Sequence, residues 1–240
     1  MRIARTVLLL AAGCAWFAPA AGAQTPQTPP DKGFTLHEQR AVDRFVVQRW
    51  VSEASPDVSP AGFCECITLV YEGNRQVLNL GLDVGLTSVT SVGDVTGDRL
   101  AELVISGNSG GAHCCQSTSI YSVEGAMLQP LLSLNTDDCS GELIDLDKNG
   151  TIEFSTCDAS FKYAFCSFAF TPFPPVVFAY DRRKGEFALA TPRYARHLQL
   201  QSAREARKAM AEYPDEPEIL RCSALGPALG LIYTGRVAQG

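Results

Sequence analysis

The sequence predicts a mainly β, antiparallel fold with a helical C-terminal tail, and three observations carry that prediction. From about residue 43 to 180, short runs rich in Val, Ile, Leu, Phe and Thr alternate with Gly, Asn, Asp and Pro, the punctuation of strands and turns. Two acidic stretches, "DVTGDRLAEL" and "DLDKNGTIEF", each lead straight into apolar strand residues. Beyond residue 190 the apolar spacing lengthens to four, the interval of one helix face.

The chain opens on the layout of a secretory signal peptide. Arg2 and Arg5 precede an apolar run from Val7, and small residues stand at Ala21 and Ala23, which predicts cleavage after Ala23. Pro19 breaks the run, which is short for a hydrocarbon core of about 30 Å, so no transmembrane span is expected. "LLAAGC" offers a second reading, a lipoprotein anchored at Cys14, although Ala11 stands where a bulky aliphatic is usual. The cleaved-signal reading makes the protein periplasmic or secreted, and the second instead anchors it by lipid at Cys14. Loss of residues 1–23, which hold two arginines and no acid, takes the formal charge from −6 to −8. That acidity argues against nucleic acid and anionic membrane surfaces as partners. Residues 24–33, beginning "QTPQTPPDK", read as an exposed linker.

The body divides into a β domain over 34–190 and a helical C-terminal segment over 191–240. "LHEQRAVDRFVVQRWV" is expected to be a short helix running into a strand. "CITLVYEGNRQVLNLGL" reads as a hairpin about Glu72, Gly73 and Asn74. "TSVTSVGDV", "ELVISGN", "STSIYSVEG", "MLQPLLSL", "GELIDLD", "IEFSTCD" and "PVVFAYD" follow as strands at the spacing of an antiparallel domain. In "FKYAFCSFAFTPFPPVVFAY", Phe161, Tyr163 and Phe165 alternate, as on a strand with one aromatic face turned to the core. Pro172, Pro174 and Pro175 mark part of it as an exposed loop, which keeps a sugar- or peptide-binding platform in view. In the tail, Tyr194, Leu198, Ser202, Ala206 and Met210 form one helical stripe that Pro214 and Pro217 end. Residues 217–235 are expected as two short helical pieces split at Gly226 and Pro227.

Eight cysteines stay in the mature chain: Cys64, Cys66, Cys114, Cys115, Cys139, Cys157, Cys166 and Cys222. An even number in an exported chain favours disulfides. "CEC" and "HCC" could instead hold zinc or copper, but neither has C-x-x-C spacing and an oxidising compartment favours pairing. A Cys–His nucleophile would need a free activated thiolate and an orienting third group. Connectivity stays open, with Cys139 and Cys157 favoured because strands flanking the second acidic loop would bring them nearly opposite. His37 and His197 show no spacing with a partner, and Glu142 with Asp137 and Asp138 reads as a solvated turn.

The acidic stretches share one pattern. Asp94, Thr96, Asp98 and Glu102 stand at positions one, three, five and nine, as do Asp145, Asp147, Asn149 and Glu153. Alternate oxygens on a tightly curled loop converge on one point, joined by a carbonyl at position seven, Leu100 or Thr151, and such a shell suits Ca²⁺. The second loop has the glycine of an EF-hand at position six, Gly150. Position twelve, however, is Thr156 rather than a bidentate Glu, and the flanks are strand-like, so it is not an EF-hand.

Both loops resemble the calcium loops of FG-GAP and VCBS-type repeats, in which strand, acidic loop and strand form part of a propeller blade. Asp94 and Asp145 are 51 positions apart, close to one blade. "DVTGDRLAELVISGNSGGAHCC" is also similar to exported bacterial proteins of this kind in which "SGGAHCC" follows the first loop. The resemblance, which covers about 86–180, implies antiparallel propeller-like blades, about two units making a partial or atypical propeller, which association of copies could complete. It implies Ca²⁺ as a structural cofactor and a role in recognition toward a protein or glycan partner. It also makes 109–111 a close-passing turn and His113 a structural histidine. The alternative is an envelope or secreted hydrolase with an active site the sequence does not mark. The first loop departs from the pattern at Thr96 and at Arg99, where glycine usually accommodates a left-handed turn, so tighter binding is expected at the second loop.

Overall fold

A two-residue turn can close a hairpin only if its backbone enters the left-handed region, which asparagine, aspartate and glycine tolerate best. Asp43, at φ 54°, makes such a turn between β1 (Phe34–Val42) and β2 (Phe45–Ser52), which pair antiparallel from Val42 with Phe45. The helix expected over this segment is therefore a β-hairpin. Its apolar residues Val42, Phe45 and Val47 all reach one core, Val42 and Phe45 facing each other across the two-residue turn that interrupts the alternation in the sequence. β3 (Cys66–Glu72) and β4 (Arg75–Asp83) turn about Gly73 and Asn74 and complete a four-stranded sheet in the order β1-β2-β3-β4.

The computed structural model describes residues 26–59, 63–83, 85–111, 114–125 and 127–236. The expected signal segment 1–23, with Cys14, and His113 lie outside them. A second antiparallel sheet follows from β5 (Leu86–Val92), β6 (Glu102–Asn108), β7 (Gln116–Glu124) and β8 (Met127–Asp137). A third is built from β9 (Glu142–Ile144), β10 (Glu153–Cys157), β11 (Pro175–Asp181) and β12 (Glu186–Leu189), in the order β12-β11-β10-β9. The structure thus has three four-stranded sheets where the sequence marked about two units. The first sheet carries no acidic loop, the feature by which the sequence marks a unit, although its β3–β4 hairpin is the one expected about Gly73 and Asn74.

The sheets stack face to face. Phe45, Val47 and Val70 of the first sheet meet Val89, Leu103 and Ile105 of the second. The second sheet's other face, with Val104, Ile120 and Leu132, meets Phe154 and Phe187 of the third. Adjacent residues of one strand serve opposite interfaces, Leu103 against the first sheet and Val104 against the third, as the two-residue period of a strand requires. Gly141 is forced by this packing, since a Cβ there would stand 2.0 Å from the Phe154 ring.

The tail continues the layering. A 3-10 turn (Thr191–Tyr194) leads into α1 (Ala195–Glu212), and α2 (Pro217–Tyr233) follows. Tyr194 and Leu198 pack with Val177 on the third sheet's outer face, while Ser202 and Ala206 continue the buried stripe. α2 runs unbroken through Pro227, unlike the two pieces expected. α2 packs along α1 here, with Ser202 Oγ 3.6 Å from where a Cβ of Gly226 or Gly230 would stand, and such packing outweighs the local penalty of an interior proline. Among the described residues no helix is long and apolar enough to cross a membrane.

Candidate metal loops and an adjoining cleft

The two acidic loops occupy the same place in successive sheets. The first joins β5 to β6 and the second joins β9 to β10, and the position-nine glutamate is the first ladder residue after each, Glu102 opposite Val92 and Glu153 opposite Ile144. Both glutamates are 1 % exposed. Each carboxylate accepts from the position-two amide: Val95 N–H reaches Glu102 Oε2 at 2.8 Å, and Leu146 N–H reaches Glu153 Oε2 at 2.9 Å.

Position one organises the rest of the turn. Asp94 accepts from the amides of Gly97 at 2.5 Å and Arg99 at 2.8 Å, and Asp145 from those of Asn149 at 3.0 Å and Gly150 at 2.8 Å. At position five, Asp98 Oδ1 accepts from Leu100 N–H and Asn149 Oδ1 from Thr151 N–H, both at 2.8 Å. Thr96 donates to Glu102 Oε1 at 3.1 Å, and Thr151 Oγ1 to Glu153 Oε1 at 3.3 Å. Positions four and six are left-handed in both loops: Gly97 and Arg99 at φ 93° and 71°, Lys148 and Gly150 at φ 59° and 86°. The expectation that backbone strain sets the first loop apart is therefore corrected, since each loop has one glycine and one long basic residue in these two places.

Carboxylate oxygens of Asp94, Asp98 and Glu102 lie within 4.8 Å of one another, and so do those of Asp145, Asp147 and Glu153. Such all-oxygen clusters could hold a hard cation. Burial, followed by the charges of Asp98 and Asp94, pushes the Glu102 carboxyl up, against hydrogen bonds from Val95 and Thr96 that pull it down. A cation between these carboxylates would relieve that repulsion. Guanidinium groups stand at both loops: Arg193 Nη2 is 3.5 Å from Asp147 Oδ2, and Arg182 Nη2 is 3.1 Å from where a Cβ of Gly97 would sit. Among the described residues the buried Tyr194 hydroxyl meets no partner at hydrogen-bond geometry, and burial, with nearby Glu153, pushes it up.

Among the described residues eight cysteines pair, as Cys64 with Cys66, Cys114 with Cys115, Cys139 with Cys157 and Cys166 with Cys222. No thiolate is left for a soft-metal or nucleophilic site among them. Asp137 and Asp138 both pair with Lys162 Nζ, so they anchor the aromatic segment to the end of β8 while Glu142 lies apart on β9. That segment is not the strand expected. It forms two 3-10 turns, Ala159–Phe161 and Phe168–Phe170, and leaves Tyr163 60 % and Phe165 59 % exposed, because the alternation of rings has no neighbouring strand to pair with.

Sequence reasoning also missed a cleft of about 590 Å³ beside this segment. Its floor is β9, β10 and the residues preceding β9, one wall is the segment around Phe170 and Phe173, and the other is α1 with α2. Glu142, His197, Gln201 and Glu205 line it. Among the described residues no hydrogen bond joins His197 to a hydroxyl or a carboxylate, the contact that a nucleophile–base pair would need. The cleft had no local signal, because its walls come from stretches of chain as far apart as 140 and 226. Comparison with protein-family models, curated proteins and solved structures finds no match to this chain.

Proposed function

We propose that the chain is an exported, calcium-stabilised β-repeat module of the FG-GAP/VCBS kind, acting in binding or in a structural role. One observation carries this reading: the same loop recurs at the same strand junction of two adjacent sheets, with matching left-handed positions, matching amide caps and a buried glutamate at position nine. Calcium tolerates irregular shells of six to eight oxygens, whereas magnesium demands a near-ideal octahedron, so a loop built of carboxylate, amide and hydroxyl oxygens suits calcium. Four disulfides accord with an oxidising, periplasmic or secreted setting. The three sheets are read as consecutive blades. A ring needs at least about four, and the helices cover the third sheet, so a second copy would add at the first.

The second loop is the proposed tighter site. At position three Asp147 supplies a carboxylate where the first loop has Thr96, whose hydroxyl already donates to Glu102. Thermal unfolding in calcium against chelator tests both statements. At calcium tenfold above Kd one site stabilises the fold by roughly 1.4 kcal/mol. Asp147→Ala should remove more of the calcium-dependent rise in Tm than Asp98→Ala. The reverse order overturns the ranking, and a wild type with neither shift nor bound ion overturns the calcium reading.

A further inference from the structure

We infer that the cleft between the third sheet and the helices binds a linear aliphatic polyamine, a small organic cation with amino groups at separated ends. Its volume of about 590 Å³ falls in the range of small-molecule sites, roughly 300–1,000 Å³. The inference rests on the reading of the chain as a binding module and names the ligand class, but it is independent of the metal loops.

Charge selects the ligand. α1 carries Arg196, Arg204, Arg207 and Lys208, yet none of them lines the cleft. The stripe that does is His197, Gln201 and Glu205, spaced four apart on one helix face,. Gln201 Nε2 donates to Glu205 Oε1 at 3.0 Å and so orients that carboxylate. On the floor the charged side chain is Glu142 of β9, and among the described residues no Lys or Arg lines the site. Two carboxylates on different walls, with apolar surface from Ile144 and Phe170 beside them, match ammonium groups joined by a methylene chain. The carboxylates accept from the ammonium N–H groups, the methylenes cover apolar surface, and an aromatic face attracts a cation.

The walls are fixed before any ligand arrives. Cys157 on the floor is bonded to Cys139, and Cys222 of α2 to Cys166 of the aromatic segment. Each wall is thus tied covalently to another part of the fold, and preorganisation of this kind lowers the ordering cost of binding.

Titration calorimetry with spermidine on the full chain decides the matter, run in calcium and again in chelator at a temperature where circular dichroism shows the protein folded. One-to-one binding is expected, weakened about fivefold to tenfold by Glu142→Gln and by Glu205→Gln singly, and unchanged by Glu212→Gln outside the cleft. Both cleft glutamates are solvent-exposed and the change is isosteric, so these variants keep the fold. Equal binding by the variants, equal binding of a neutral diol of similar length, binding of a lysine-rich peptide but not spermidine, or no heat at millimolar spermidine each overturns the proposal. Loss of the calcium-dependent melt with spermidine binding intact would sink the metal reading and leave this one standing.

Discussion

Arg99 and Gly150 occupy the same left-handed position, the sixth of their loops, at φ 71° and 86°. Lys148 and Gly97 mirror them at the fourth, at φ 59° and 93°. Each loop therefore holds one residue in a conformation that costs a side-chain-bearing residue about 1–2 kcal/mol, offset in part by the greater unfolded-state freedom of glycine. Arg99→Gly and Lys148→Gly should each raise stability by up to about 1 kcal/mol in chelator. Each should also tighten calcium binding by removing a cation beside the carboxylates. Melting curves and calcium titrations read the two effects separately, and a fall in Tm for both variants would show that their side chains, rather than their backbones, matter at these positions.

Glu102 and Glu153 join loop to strand by accepting an amide seven residues earlier while nearly fully buried. Alanine at either position would leave that amide without its acceptor and open a void, so a loss on the order of 2–4 kcal/mol is expected. Glutamine keeps an acceptor oxygen but not the charge. Glu153→Gln should therefore retain much of the chelator-state stability while losing most of the calcium-dependent increment. Equal calcium shifts in wild type and Glu153→Gln would remove this glutamate from the ligand set.

The strand pattern was legible from β5 to β11 because glycine, asparagine, aspartate or proline stands at an end of each of these strands, whereas β12 (Glu186–Leu189) is only four residues long and went unmarked. The acidic loops were legible because their side chains act locally, within nine residues. What could not be read depends on distant chain. Asp43 and Arg44 make a hairpin turn without an Asn-Gly or Asp-Gly signature, so the stretch around them reads as a helix running into a strand. Arg44 holds that turn against the second sheet through the carbonyls of Ala101 and Val123, at 3.2 Å and 3.0 Å, contacts 57 and 79 residues away. Phe161, Tyr163 and Phe165 alternate like a strand but are set by Lys162 reaching Asp137 and Asp138 and by Cys166 reaching Cys222. The Cys139–Cys157 pair was readable from strand geometry, whereas Cys166 and Cys222 meet only once the helices dock.

The four disulfides should differ in weight. Cys166 and Cys222 are 56 residues apart and Cys139 and Cys157 18 apart, so chain-entropy arguments give on the order of 4 and 3 kcal/mol, against less than about 2 for Cys64 with Cys66. Paired serine substitutions should lower stability in that order, measured by denaturant unfolding without reductant. Thiol counting on denatured, unreduced mature protein should find none free. Two or more reactive thiols per chain would revive a thiolate metal site.

Acid and alkali should both loosen the last helix, through one contact. The Tyr233 hydroxyl of α2 donates to Asp158 Oδ2, and Ser160 N–H donates to Oδ1 of the same carboxylate at 2.8 Å. Burial alone would raise the Asp158 carboxyl, but the bonds from Ser160 and Tyr233 hold it below its ordinary value. An acid depressed in the folded state contributes stability above its unfolded value, about 3.9, and loses it as pH falls through the lower folded value. Tyr233 is raised by burial and by Asp158, so its contribution is complete below about pH 10 and lost as pH climbs toward the raised folded value. The contact therefore stabilises across the neutral plateau and fails at both ends. Tyr233→Phe should cost about 1 kcal/mol at pH 7, and it should flatten the fall in stability below pH 4 relative to wild type. Urea unfolding at pH 3, 5 and 7 checks it: a wild type and a Tyr233→Phe variant with parallel pH profiles would place the acid sensitivity in other carboxylates.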